Sequence, residues 1–110
     1  MTVSAGLSFA MPGGASPSTK TIPALGFGTS PLTGGMSVET VLSALEAGYR
    51  HIDTGRKYGT EQAVGEAMRA SGLKRDELFV VTKVSHENLR PADFARSVDQ
   101  SLKALRLDYI

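Results

Sequence analysis

Three β-prone segments, ALGFGT (24–29), YRHID (49–53) and LFVVTKV (78–84), recur along the chain with room for one helix between each pair. The repeat is about 25–30 residues, the size of a strand–helix–strand unit, and strands joined by a helical crossover run parallel. No internal sequence repeat accompanies it, so the repetition is architectural. An alternation of this kind predicts an α/β fold with a parallel sheet.

The intervening segments carry helical signals. Ser37 is placed to cap a first helix, with Glu39 in its first turn and Val38, Val41, Leu42 and Leu45 on one face. Gly48 stands where a terminating glycine belongs. Thr60 is placed to cap a second helix, whose inner face is read as Ala63, Val64, Ala67 and Met68 and whose end is Gly72. Pro91 suits the first position of a third helix, with Phe94, Ala95, Val98, Leu102 and Leu105 as its inward stripe. LDYI (107–110) reads as the onset of a fourth strand. Ahead of these units, residues 1–24 are rich in Gly, Pro, Ser and Thr. They read as a leader, with LSFAM and TIPAL as the arms of a short β-hairpin around the loop PGGASPSTK.

Two parallel architectures compete. A doubly wound sheet places a glycine-rich phosphate loop between its first strand and first helix. Gly26 and Gly28 supply only G-x-G, and SPLTGGM, with Pro31, follows where a helix should begin. A (β/α)8 barrel places its working residues at the C-terminal ends of its strands. Thr29, Asp53 and Lys83 occupy those ends here, which favours the barrel.

Composition removes several classes of function. With 12 basic and 11 acidic residues in 110 the net charge is +1, and no basic block offers a surface to nucleic acid or to a membrane. Cysteine is absent, which excludes disulfides and thiol chemistry, and two histidines alone make no obvious metal site. No apolar run reaches the ~18 residues of a membrane span. MTVSAGLSFAMPGG has neither the basic nor the apolar region of a signal peptide, so a cytoplasmic location is expected.

The most concentrated chemistry lies in GYRHIDTGRKYGTE (48–61). Asp53 and Lys83 end consecutive strands, and neighbouring strands lie about 4.8 Å apart, so in a parallel sheet the two groups meet at one mouth. Tyr58 follows in a short loop closed by Gly59. Tyrosine, with an ordinary pKa of about 10, gives up its proton reluctantly. An ammonium beside it favours the phenolate, and a carboxylate holds the ammonium in place. Asp53, Lys83 and Tyr58 therefore form a candidate general acid for an oxygen that becomes negative during reaction. An ordinary salt bridge with a packed loop tyrosine fits the same residues.

LGFGT, GYRHIDT, YGTE followed by VGEA, and LFVVTK, in this order and at these intervals, resemble the N-terminal part of the aldo-keto reductases from about Ile22 to Ile110. The resemblance implies a (β/α)8 barrel closed at its base by a hairpin, and a monomer that reduces an aldehyde or ketone with NADPH and without metal. It implies that Tyr58 donates the proton to the carbonyl oxygen, that Lys83 eases that proton's departure, and that Asp53 pairs with Lys83. Gly28, Thr29 and Ser30 match the segment lining the nicotinamide pocket, and Asp53 lies where the nicotinamide ribose is contacted. The chain departs from the family pattern at three places. Gly55 stands for a small side chain, Thr60 for a common Asn, and Ser30 for a frequent Trp, which implies a wider pocket on that wall.

A complete barrel needs about 250 residues. The chain is therefore expected to be the first three βα units, with residues 1–24 as leader and hairpin and 25–110 as barrel. The family's catalytic histidine would end the next strand. His51 reads as a wall residue, and His86, three residues after Lys83, as an ordinary loop residue in preference to one rimming the substrate pocket. The 110 residues alone are expected to be inert. A binding or regulatory protein that keeps the fold, and an unrelated barrel enzyme such as an isomerase, are the competing readings.

Overall fold

The computed structural model describes residues 8–10, 21–30, 32 and 36–110. The expected loop at PGGASPSTK and most of SPLTGGM lie outside them. β1 (Ser8–Ala10) pairs antiparallel with β2 (Thr21–Pro23), Phe9 opposite Ile22, giving the hairpin expected for this region.

β3 (Gly26–Gly28), β4 (His51–Asp53) and β5 (Phe79–Val81) form one parallel sheet in chain order. The ladder fixes two rows across it, Gly26–His51–Phe79 and Gly28–Asp53–Val81. Side chains alternate along a strand, so these rows share one face and Phe27, Ile52 and Val80 share the other. The second face carries the core. Ile52 is fully buried and Val80 nearly so, packed with Val41, Leu45, Val64, Met68 and Leu105 from the helices. The strands are shorter than their apolar runs, because a strand extends only as far as its partner pairs.

α1 (Met36–Glu46), α2 (Glu61–Ser71) and α3 (Pro91–Leu105) follow their strands as the spacing requires. α1 closes on Gly48, with φ of 110°; the Gly48 amide reaches the Leu45 carbonyl at 3.1 Å and the Tyr49 amide reaches Ala44 at 3.0 Å. This paired closure is the reason for glycine there. The helix already includes Met36, so Ser37 lies within its first turn, buried, rather than at its cap.

α3 corrects the expected stripe. Ser97, Ser101 and Leu105 are its buried residues, whereas Phe94 is 46% exposed and Ala95 is exposed; Val98 and Leu102 are half-buried. Helical spacing locates an apolar stripe without saying which face meets a neighbour. Small serines let α3 approach closely, and the stripe is turned to one side. Contact is closest where Gly65 of α2 faces Leu105: a Cβ at Gly65 would lie 2.5 Å from the Leu105 carbonyl oxygen. Residues 107–110, expected to start a strand, form none; the Tyr109 carbonyl accepts from Arg75 at 2.7 Å, and the Arg75 guanidinium lies 3.9 Å over the Tyr109 ring. Among the described residues no helix is long and apolar enough to cross a membrane.

Candidate active site

β4 ends at Asp53, and the chain beyond β5 runs through Thr82 to Lys83. Backbone pairing continues past both strands: the Thr54 amide donates to Val81 at 2.8 Å and the Arg56 amide to Lys83 at 3.1 Å. This brings the Lys83 ammonium onto the Asp53 carboxylate as an ion pair and lets it donate to the Thr54 carbonyl at 2.9 Å. The expected meeting of the two strand ends is therefore present.

Residues Arg56–Tyr58 form one 3₁₀ turn, ended by Gly59 with φ of 69°. The turn folds the Tyr58 ring back over Gly55, where a Cβ would stand 3.1 Å from the ring. The ring centroid lies 5.1 Å from Lys83 Nζ, within range of cation–π attraction. Burial alone would lower the pKa of the Lys83 ammonium. Hydrogen bonding and charge from Asp53 and Tyr58 outweigh that, and the pKa is raised above its ordinary 10.5. Both members of the ion pair remain accessible, Lys83 at 49% and Asp53 at 41% side-chain exposure.

Tyr58 and Lys83 line an open pocket of about 230 Å³ with Gly55, Lys57, Ser85 and His86 among its walls. His86, read either as an ordinary loop residue or as a rim residue, is on the pocket's rim, in a 3₁₀ turn (His86–Asn88). Lys57 pairs with Glu87 at 3.2 Å across that rim. His51 lies one row below Asp53 on the same sheet face, edge-on to Phe79 at 5.2 Å, with Nε2 buried and unpartnered. Among the described residues no group of three His, Cys, Asp or Glu is placed to hold a metal ion.

The other strand-end residues divide. Gly28 pairs in register with Asp53, and a Cβ there would meet nothing within 4 Å, so the space above Asp53 is open on that side. Ser30 is exposed. The Thr29 side chain turns the opposite way, fully buried, with its hydroxyl 3.1 Å from that of Thr60. Thr60 also meets the Thr54 hydroxyl at 3.2 Å. It makes no side-chain cap to α2, contrary to the role read from its position. Its hydroxyl instead joins the ends of β3 and β4 beneath the loop of Tyr58.

Glu61 was not singled out by sequence. It is 3% exposed, accepting from Arg56 at 3.1 Å and from the Thr82 hydroxyl at 2.9 Å. A signal existed: Glu61, Val64, Gly65 and Met68 follow helical spacing, so the carboxylate falls on the buried face of α2.

A family model described as the aldo/keto reductase family matches residues 24–110. The methylglyoxal reductase DkgB of Salmonella typhi is 46% identical over 90 residues, which are 82% of this chain and 34% of that protein. An aldo-keto reductase of Mycolicibacterium smegmatis is 40% identical over 110 residues, 100% of this chain and 39% of its own length. Among solved structures, an aldo/keto reductase from Brucella melitensis superposes with a TM-score of 0.80 at 39% identity, covering 84% of this chain and 36% of that one. MGS-M4, an aldo-keto reductase from a Medee basin deep-sea metagenome library, gives a TM-score of 0.81 at 39% identity, with 84% and 34% covered. The chain spans about a third of the length of the relatives it matches. The fold is that of the N-terminal part of a (β/α)8 barrel preceded by a hairpin.

Proposed function

The chain belongs to the aldo/keto reductase family, and from that premise we propose that it carries the proton-donating half of a site reducing small aldehydes or ketones with NADPH. The observation that carries this reading is the convergence of Asp53, Lys83 and Tyr58 at the C-terminal end of the sheet, where Asp53 pairs with Lys83 and Lys83 and Tyr58 line one pocket.

The residues present fit the cofactor on one observation: the glycine at 28 leaves open space beside Asp53, which a side chain would fill. Gly28, Ser30, the Thr29 backbone and the Asp53 carboxylate would hold it. When bound, NADPH supplies the hydride to the carbonyl carbon. Tyr58 holds its proton at Oη and gives it to the carbonyl oxygen, so that C=O becomes CH–OH. The Lys83 ammonium stabilises the charge left on the phenol oxygen, and Asp53 with the Thr54 carbonyl keeps that ammonium from swinging into solvent. The 46% identity to a methylglyoxal reductase over 90 residues supports a small carbonyl compound as substrate.

The 110 residues alone are proposed to be inactive. The sheet face that carries Gly28 and Asp53 is open, with both residues accessible, and a water-filled site weakens electrostatic stabilisation. The test is a graft in which residues 24–110 replace the matching stretch of the Salmonella methylglyoxal reductase. NADPH-dependent methylglyoxal reduction by the graft, lost on Tyr58→Phe, supports the proposal; a graft that folds, binds NADPH and reduces nothing refutes it.

A further inference from the structure

The geometry points to Glu61 as a positioning residue that locks the turn carrying Tyr58 to the strand end carrying Lys83, an inference that rests on the roles proposed for those two residues. Glu61 opens α2 and is 3% exposed. Its two carboxylate oxygens are divided between two segments. Oε1 accepts from Arg56, two residues before Tyr58, and Oε2 accepts from Thr82, the residue before Lys83. A direct backbone link between these segments is the Arg56 amide to the Lys83 carbonyl, at 3.1 Å.

A carboxylate this deeply buried is costly unless its oxygens are satisfied. Here an arginine, a hydroxyl and the helix N-terminus satisfy them. The arginine is itself held from a third side, donating to Gln100 of α3 at 3.3 Å. Glu61 does not line the pocket. Its effect is to fix the offset between two short segments whose side chains must meet. Three-residue strands and a single 3₁₀ turn have little stiffness of their own, and a misplacement of about 1 Å in a proton donor costs on the order of 100-fold in rate.

Glu61→Gln is nearly isosteric but uncharged: its oxygen can still accept from Arg56 and its nitrogen can donate to the Thr82 hydroxyl, so both arms persist only as weaker, neutral bonds and the charge-assisted hold on Arg56 is lost. Amide hydrogen exchange on the intact chain reads the coupling without any enzymatic assay. The Arg56 amide is expected to exchange about tenfold faster in Glu61→Gln, with the Ile52 and Val80 amides unchanged. In the reductase graft assayed with NADPH and methylglyoxal, kcat should fall about tenfold while KM and the NADPH dissociation constant stay within about threefold. A general loss of stability would instead expose Ile52 and Val80 together with Arg56. If Glu61→Gln does not fold, Thr82→Val and Arg56→Met each remove one arm and should each speed exchange of the amide at position 56. Unchanged exchange of that amide in these variants overturns the inference, as does faster exchange with unchanged kcat where Tyr58→Phe abolishes turnover. If Tyr58→Phe itself leaves kcat intact, the proton-donor reading falls, and the exchange result alone decides whether Glu61 couples the segments.

Discussion

The Arg56 amide donates to the Lys83 carbonyl at 3.1 Å, so the backbone that leads into Tyr58 is stitched to the backbone that presents Lys83. Through this link the ion pair at the strand ends and the tyrosine over it form one unit. Lys83→Met keeps the length of the stem and removes the charge. In the reductase graft it is expected to lower kcat by about tenfold or more, with NADPH affinity nearly unchanged, as steady-state rates and fluorescence titration would show.

The same ion pair has a defined pH window. The folded pKa of Lys83 lies above 10.5, so its stabilising contribution is complete below the unfolded value and is lost as pH rises through the folded one. Both partners are close to half exposed, and the contribution is about 1 kcal/mol or less. The stability difference between the wild-type chain and Lys83→Met, from urea unfolding, should be flat between about pH 7 and 9 and shrink above about pH 10.5. A difference that shrinks between pH 7 and 9 would contradict the raised value.

Gly65→Ala should destabilise the protein, although alanine is favoured over glycine inside a helix by about 1 kcal/mol. The added Cβ would lie 2.5 Å from the Leu105 carbonyl oxygen, and that neighbour is backbone. α3 must move off α2, at a cost of about 1–3 kcal/mol. A shift of the urea midpoint to lower concentration at constant slope would show it.

Thr60→Val preserves shape and removes the hydroxyl shared by Thr29 and Thr54. Two buried hydroxyls then lose a partner, at about 1–3 kcal/mol. Thr60→Ser, which keeps the oxygen, should cost less than half as much. Equal losses for the two variants would show that the methyl group and not the network matters.

The barrel plan was legible because strand and helix periods alternate over long stretches, and because Asp53 and Lys83 sit where apolar runs stop. What escaped was decided by size and direction rather than by polarity. Ser97 and Ser101 were left out of the expected stripe of α3, yet they are buried and their small volume suits a contact face. Thr60 read as a helix cap from its position, while its hydroxyl had closer partners 31 and 6 residues away in sequence. Glu61 drew no role from its sequence position, and its burial is explained only by Arg56 and Thr82 around it. Such partners are brought together by the fold and leave no local pattern.

The most direct measurement is the rate of NADPH-dependent methylglyoxal reduction by the graft with Tyr58 and with Tyr58→Phe, alongside NADPH binding to each. The phenylalanine retains the ring that packs over Gly55 and lacks only the proton. A fall in kcat of about 10²- to 10⁴-fold with unchanged NADPH affinity is expected of a general acid. A Tyr58→Phe enzyme with normal kcat would show that the proton comes from elsewhere and that the cluster of Asp53, Lys83 and Tyr58 is structural.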